Sequence, residues 1–352
     1  MLLKTWVSFV IQKSLFNFTN YFPILLSFLS FFVIIVLVDA ELSDVSVATC
    51  HFYYAESGHY TCDLQKAFVF EEFDKFKIQG EHVKGNRNED VLHVNVKESI
   101  LYNLPNTSIF DNFKNLQRLE GQNIELNTLY QEAFENCSKF SFLQLSQNDI
   151  AKLPTEVFTE CQGLEYIFLD KNLIIDVDKD AFKKLTKLLL LSLEENQIKE
   201  LHPNTFKSLE SLKALYLSNN KISLLYQTTF KALKNLETLN LSSNQITEMQ
   251  PGVFDGLSKL RTLYLVNNKI AIIPEDAFKY LNNLRVLSLN YNKINKIHFE
   301  AFQYFSKLWI IDVTGNICID NNFEKMKNTD DKFDEKVIQH FEKCFINYYV
   351  RV

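Results

Sequence analysis

Three kinds of side chain in this sequence could do chemistry. Six cysteines, Cys50, Cys62, Cys137, Cys161, Cys318 and Cys344, can cross-link. Four of the seven histidines, His51, His59, His82 and His93, crowd into one stretch and could ligate a metal or move protons. Phe142, Tyr166, Phe168, Tyr216 and Tyr264, beside Asp170, Glu194 and Glu195, could dock a partner through aromatic area next to negative charge. The histidine spacings match no standard zinc set, and the chain has no G-x-S-x-G elbow, H-E-x-x-H helix, Walker loop, Cys-x-x-Cys pair or calcium-loop spacing. No catalytic residue, cofactor or metal is therefore expected, and the histidines read as a polar surface.

The elements that must position these groups follow from periodicity. Leu116, Phe140, Leu164, Leu188, Leu212, Leu236, Leu260, Leu284 and Leu308 stand 24 residues apart without insertion or deletion. A second ladder, from Phe110 to Phe302, and a third, from Asn148 to Asn316, keep the same step. A period of this size marks a solenoid. Within each repeat, x-L-x-L-x reads as a short strand with two leucines inward and the flanking positions outward. Asparagine suits the turn after the strand because a short amide can pair backbone groups that would otherwise be orphaned. The phenylalanines are expected to fill the far side of each coil. In the first coil Gly121 replaces a leucine and Ile124 an asparagine, which reads as a transition from a cap.

With these ladders, L-x-x-L-x-L-x-x-N-x-I, the sequence resembles the leucine-rich repeat family in its 24-residue extracellular form, over roughly residues 90 to 325. It is similar to secreted insect-type members and to Toll-type ectodomains. The resemblance implies an α/β solenoid: a horseshoe with a concave parallel β-sheet and disulfide-bonded N- and C-terminal caps. We divide the chain into residues 1–40 as an export segment, 41–115 as the N-terminal cap and first strand, 116–316 as repeats and 317–352 as the C-terminal cap.

Lys4 and Lys13 precede an uncharged run from Pro23 to Val38 that ends Val38-Asp39-Ala40. This reads as a signal peptide cleaved after Ala40, leaving Glu41 first. The rival reading is an uncleaved anchor, since Ser14 to Val38 is uncharged and long enough to span a bilayer. In both readings the repeats face the cell exterior. Phe345–Val352 adds no second apolar span, so membrane contact is expected only if the first segment is retained.

An exported chain with six cysteines reads as three disulfides, and sequence alone leaves the pairing open. Cys137 and Cys161 fall at equivalent places on adjacent coils, about 5 Å apart, which suits a bridge. Cys50 and Cys62 are consistent with a hairpin cap, and Cys318 with Cys344 would close a terminal loop. Phe333, Val337, Phe341 and Cys344 recur at helical spacing, so a capping helix is expected there. The family's usual C-terminal flank has four cysteines and a Cys-x-Cys pair, which this chain lacks. Sequons stand at Asn106, Asn136 and Asn240, and at Asn17 in the export segment.

One outward column reads Glu120, Gln144, Phe168, Ser192, Tyr216, Asn240, Tyr264, Ser288 and Asp312, with Phe142 and Tyr166 on one side and Asp170, Glu194 and Glu195 on the other. The fold does not require these residues, so binding is expected here. A glycan on Asn240, between Tyr216 and Tyr264, would obstruct that half. The net charge of −6 supplies no basic footprint for nucleic acid. The expected protein is a secreted, non-enzymatic recognition module for a protein or microbial surface ligand. Family resemblance extends this to innate-immune recognition or extracellular complex assembly, and the alternative is an adhesion or receptor-like protein tethered by its N-terminal segment. No C-terminal coiled coil is present, so an obligate covalent partner is not expected, and oligomeric state is left open.

Overall fold

The computed structural model describes residues 45–65, 67–69, 75–101, 104, 108–302, 305–324, 341 and 344–346. The export segment, Asn17, Asn106 and most of the expected capping helix lie outside them. Residues Ser46–Val352 form one compact unit.

A single 14-stranded sheet runs the length of that unit. Its strands in chain order are β1 (Val45–Tyr54), β2 (Tyr60–Gln65), β3 (Lys75–Gln79), β4 (His93–Lys97), β5 (Arg118–Glu120), β6 (Phe142–Gln144), β7 (Tyr166–Phe168), β8 (Leu190–Ser192), β9 (Ala214–Tyr216), β10 (Thr238–Asn240), β11 (Thr262–Tyr264), β12 (Val286–Ser288), β13 (Ile310–Asp312) and β14 (Asn322–Glu324). From β4 to β13 every pair is parallel and the order is sequential, one strand per coil. From β5 to β13 the middle residue of each strand, such as Leu143, Ile167, Leu191 and Leu215, is buried, and its two neighbours point out, except where a serine such as Ser192 is itself covered. This solenoid is the fold that the three ladders imply.

Each ladder has a distinct physical task. The Oδ1 of Asn220 accepts from the backbone N–H of Ile198 at 3.0 Å, while its Nδ2 donates to Leu193 O at 2.9 Å and Leu217 O at 3.1 Å. Asn148, Asn172, Asn196, Asn244, Asn268, Asn292 and Asn316 repeat the pattern, each tying its own turn to the coil before it. The phenylalanines from Phe158 to Phe302 stack along the far side with ring centroids 6.2–6.4 Å apart.

One ladder escapes the sequence pattern. Asn123, Gln147, Lys171, Glu195, Asn219, Ser243, Asn267 and Tyr291 all take positive φ, between 52° and 60°, and Gly315 continues the row at 69°. A tight turn before each asparagine forces this conformation whatever residue stands there. In the first coil, a Cβ on Gly121 would come within 2.9 Å of Ile124 Cδ1, so Ile124 fills the space that a leucine occupies elsewhere.

The ends are built differently. β1 and β2 form an antiparallel pair, and the Cys50–Cys62 bridge lies within it, with Cα atoms 5.4 Å apart. The two cysteines thus sit on the strands themselves. β2 then pairs in parallel with β4, so the hairpin extends the sheet. At the other end β14 pairs antiparallel with β13, Phe345–Ile346 adds to a convex-side sheet beside Lys296–His298, and Cys318 bonds Cys344. Neither strand was anticipated. Phe341 is buried with its ring centroid 4.9 Å from that of Phe302, closing the spine. Cys137 and Cys161 bond across adjacent coils with Cα atoms 4.9 Å apart, in the register that Leu185 and Leu209 occupy further on.

Replacing Asn220 with leucine leaves the buried N–H of Ile198 without a partner, at about 1 to 3 kcal/mol, and removes one of the two amide donors that Leu193 O and Leu217 O each accept. The expected loss is about 1 to 3 kcal/mol by urea denaturation; a loss under about 0.5 kcal/mol would show that the ladder is not what holds the coils. Gln147→Gly should instead raise stability by about 0.5 to 1 kcal/mol, because relief of left-handed strain outweighs glycine's extra chain entropy; a lower melting temperature would contradict that.

Candidate ligand-binding face

Register decides which side chains meet. Across the cap and the first coils, Thr61, His93, Arg118, Phe142 and Tyr166 pair in one continuous row, and Asp63, Asn95, Glu120, Gln144 and Phe168 in the next. In-register strands stand about 4.8 Å apart, so each row forms one surface. Along the first row lies an open groove of about 540 Å³ whose lining includes His59, His93, Arg118, Glu120, Phe142 and Tyr166.

The Phe142 ring is the hub of this surface. Its centroid is 6.0 Å from that of Tyr166 and 5.4 Å from that of Phe168. The Arg118 guanidinium lies 3.4 Å above it, a cation–π contact, while Arg118 Nε donates to Glu120 Oε1 at 2.5 Å. On the cap side the His59 and His93 rings meet edge to face at 4.4 Å. Burial, then the neighbouring His59 and Arg118, hold His93 below the ordinary histidine value, with Glu120 opposing. Asp63 shows the reverse balance: burial raises its pKa, but hydrogen bonds from Lys97, Asn95 and Tyr53 outweigh this and hold the carboxyl below its ordinary value.

The remaining expected site residues are placed differently. Asp170 accepts hydrogen bonds from Ser146 at 2.8 Å and from Ser192, and Glu194 from Ser218 and from Asn240 Nδ2 at 3.0 Å. Glu195 lies 3.7 Å from Lys171 Nζ. These acids therefore cross-link neighbouring coils before they face any partner. Tyr216 and Tyr264 flank Asn240 in register, one strand away on each side, and join no ring contact among the described residues. The Asn240 amide is engaged at both ends, since its Oδ1 accepts from Ser242 N at 3.1 Å. Asn136 is exposed and left-handed, with Nδ2 donating to Asp111 Oδ1 at 3.1 Å.

Sequence reasoning overlooked Arg118, and it read His59 and His93 only as polar cap surface. The step from His93 to Arg118 is 25 residues, one more than the repeat, so extending the ladders backwards would have turned His93 to the wrong face. Of the other described histidines, His82 stacks on Phe52 at 3.9 Å and bonds Tyr60 and Asn88, a structural place. Ser57 Oγ lies 3.3 Å from His59 Nδ1, but among the described residues no carboxylate bonds the other nitrogen of that ring. The face has the makings of a docking surface, with aromatic area, a stacked cation and adjacent acids.

The family model described as "Leucine rich repeat" matches residues 162–222, 212–270 and 258–317. Together these matches mark residues 162–317 as leucine-rich repeats. A search of curated protein sequences finds no match. Among solved structures, this leucine-rich repeat chain is similar to the Toll–Spatzle complex, described as a molecular hub in Drosophila development and innate immunity, at 21% identity and TM-score 0.55, covering 69% of this chain and 36% of that one. It is also similar to the APL1 leucine-rich repeat domain, at 18% identity and TM-score 0.56, covering 77% and 71%. The TLR13–ssRNA13 complex aligns at 21% identity and TM-score 0.45, covering 69% and 47%. The chain thus spans about a third of the Toll chain it matches. The likenesses to the Toll and APL1 chains establish the fold. Among the described residues no helix is long and apolar enough to cross a membrane.

Because His93 has a folded-state pKa below its unfolded value, its contribution to stability is present above about pH 6.5 and is lost as pH falls from there through the depressed folded value, where the unfolded chain takes up the proton first. His93→Gln should flatten the fall in stability between about pH 7 and pH 5, followed by urea denaturation at each pH. An unchanged slope would assign the effect to other groups.

Proposed function

We propose that this leucine-rich repeat protein is a secreted, non-enzymatic recognition module that binds a protein or microbial surface ligand at the N-terminal end of its concave sheet. The observation that carries the reading is the row from His93 through Arg118 and Phe142 to Tyr166. These outward side chains are not needed by the repeat, yet they form an aromatic and charged cluster around a groove. Aromatic and arginine side chains are what interfaces use as anchors.

Export is supported by the leader-like residues 1–40 and by three disulfides, which persist in oxidising compartments. A protein ligand is supported by the likeness to Toll, which is in complex with Spatzle, and an immune setting by the description of that complex as a hub in development and innate immunity. Tyr216 and Tyr264 form a second, separate candidate surface, with Asp170 and Glu194 between the two as bracing.

The test is secretion from insect cells, then binding of the purified protein to immobilised peptidoglycan, lipopolysaccharide and a panel of extracellular proteins. A species in the medium beginning at Glu41 supports export, whereas retention on membranes with residues 1–40 intact supports the tethered alternative. For any ligand captured, the double replacement of Phe142 and Tyr166 by alanine should weaken binding by about 30-fold or more, corresponding to at least about 2 kcal/mol. A folded double variant of unchanged affinity would remove the groove from the reading, and loss confined to Tyr216→Ala and Tyr264→Ala would move it along the sheet.

A further inference from the structure

On the side of the solenoid away from the groove, Glu275, His298 and Glu300 each bring one ligand atom into a cluster in which all three lie within 4.8 Å of one another. They come from two consecutive coils. Glu275 follows the short strand Ile272–Ile273, and His298 ends the strand Lys296–His298, which pairs with it in parallel at Ile273↔Ile297. From the other side His298 pairs with Ile346 of the terminal strand. Glu300 stands two residues on, in the turn Phe299–Phe302, whose Phe302 is anchored in the ring stack. The backbone thus fixes all three positions.

The side chains are close in a way that calls for a cation. The Nε2 of His298 is 3.6 Å from Glu275 Oε2. The Glu275 side chain is 54% exposed and that of His298 25%, so an ion could reach the cluster and keep water on its open side.

We propose that Glu275, His298 and Glu300 bind one divalent transition-metal ion, zinc by ligand class, which clamps the last two coils together. One imidazole nitrogen and two carboxylate oxygens are ligand types that zinc accepts, and three of them leave a position for water. Calcium prefers six to eight oxygens and gains nothing from the imidazole. The ion would replace repulsion between two carboxylates on adjacent coils with a shared attraction, next to the Cys318–Cys344 bridge that closes the chain.

The experiment uses the full secreted protein without a histidine tag, treated with chelator and dialysed, then titrated with ZnCl2 by calorimetry and melted with ZnCl2 or CaCl2. We expect one equivalent of zinc, a melting temperature raised by zinc and not by calcium, and loss of both effects in His298→Ala and Glu275→Gln. Cobalt substituted for zinc should give the visible absorption of an imidazole-bound ion, absent in His298→Ala. If zinc neither binds nor raises the melting temperature of the wild-type protein, the proposal fails and the cluster is a proton-sharing acid pair. If the zinc effect survives in His298→Ala and disappears in His93→Gln, the ion belongs to the groove and the proposal fails equally.

Discussion

Everything in this fold depends on backbone groups that a single coil cannot satisfy alone. The turn after each strand points N–H and C=O groups into the interior, and only an asparagine amide reaching between two coils pairs them. Because that amide must meet the same groups at every step, coil length is held at 24 residues through the repeats. Constant length in turn brings equivalent residues into register, so that leucines stack on leucines and phenylalanines on phenylalanines. The same turn imposes a left-handed residue before each asparagine, and the chain accepts that strain in glutamine, lysine, glutamate and tyrosine alike.

Register also gives the outward positions their meaning. A side chain on the sheet has its neighbours two strands away fixed before its own identity is chosen, and the chain uses this freedom in two ways. At the N-terminal end it collects Arg118, Phe142, Tyr166 and Phe168 into one contact surface. Along the middle it directs Asp170 and Glu194 to serine and asparagine donors on adjoining coils. Half-buried carboxylates are stabilised by such donors, so the acidic strip acts first as bracing between coils.

The caps solve the problem of open ends with unlike means. The N-terminal hairpin continues the sheet and adds polar side chains to it, so capping and the candidate groove share the same strands. The C-terminal end turns back on both faces, with one strand on the broad sheet and another on the convex side, joined by a disulfide. Both arrangements cover apolar interior that would otherwise meet water.

By itself, the sequence determined the repeat length, the inward leucines, the roles of the asparagine and phenylalanine ladders and the bridge between Cys137 and Cys161. These follow from local pattern multiplied by a constant step, so one coil specifies its neighbours. Tertiary structure alone decided what happens where the step fails or where partners lie far apart in sequence. The 25-residue offset that turns His93 beside Arg118, the serines that occupy Asp170 and Glu194, and the meeting of Glu275 with His298 and Glu300 are contacts between coils. Their geometry depends on how one turn of backbone seats against the next, which no linear spacing motif encodes.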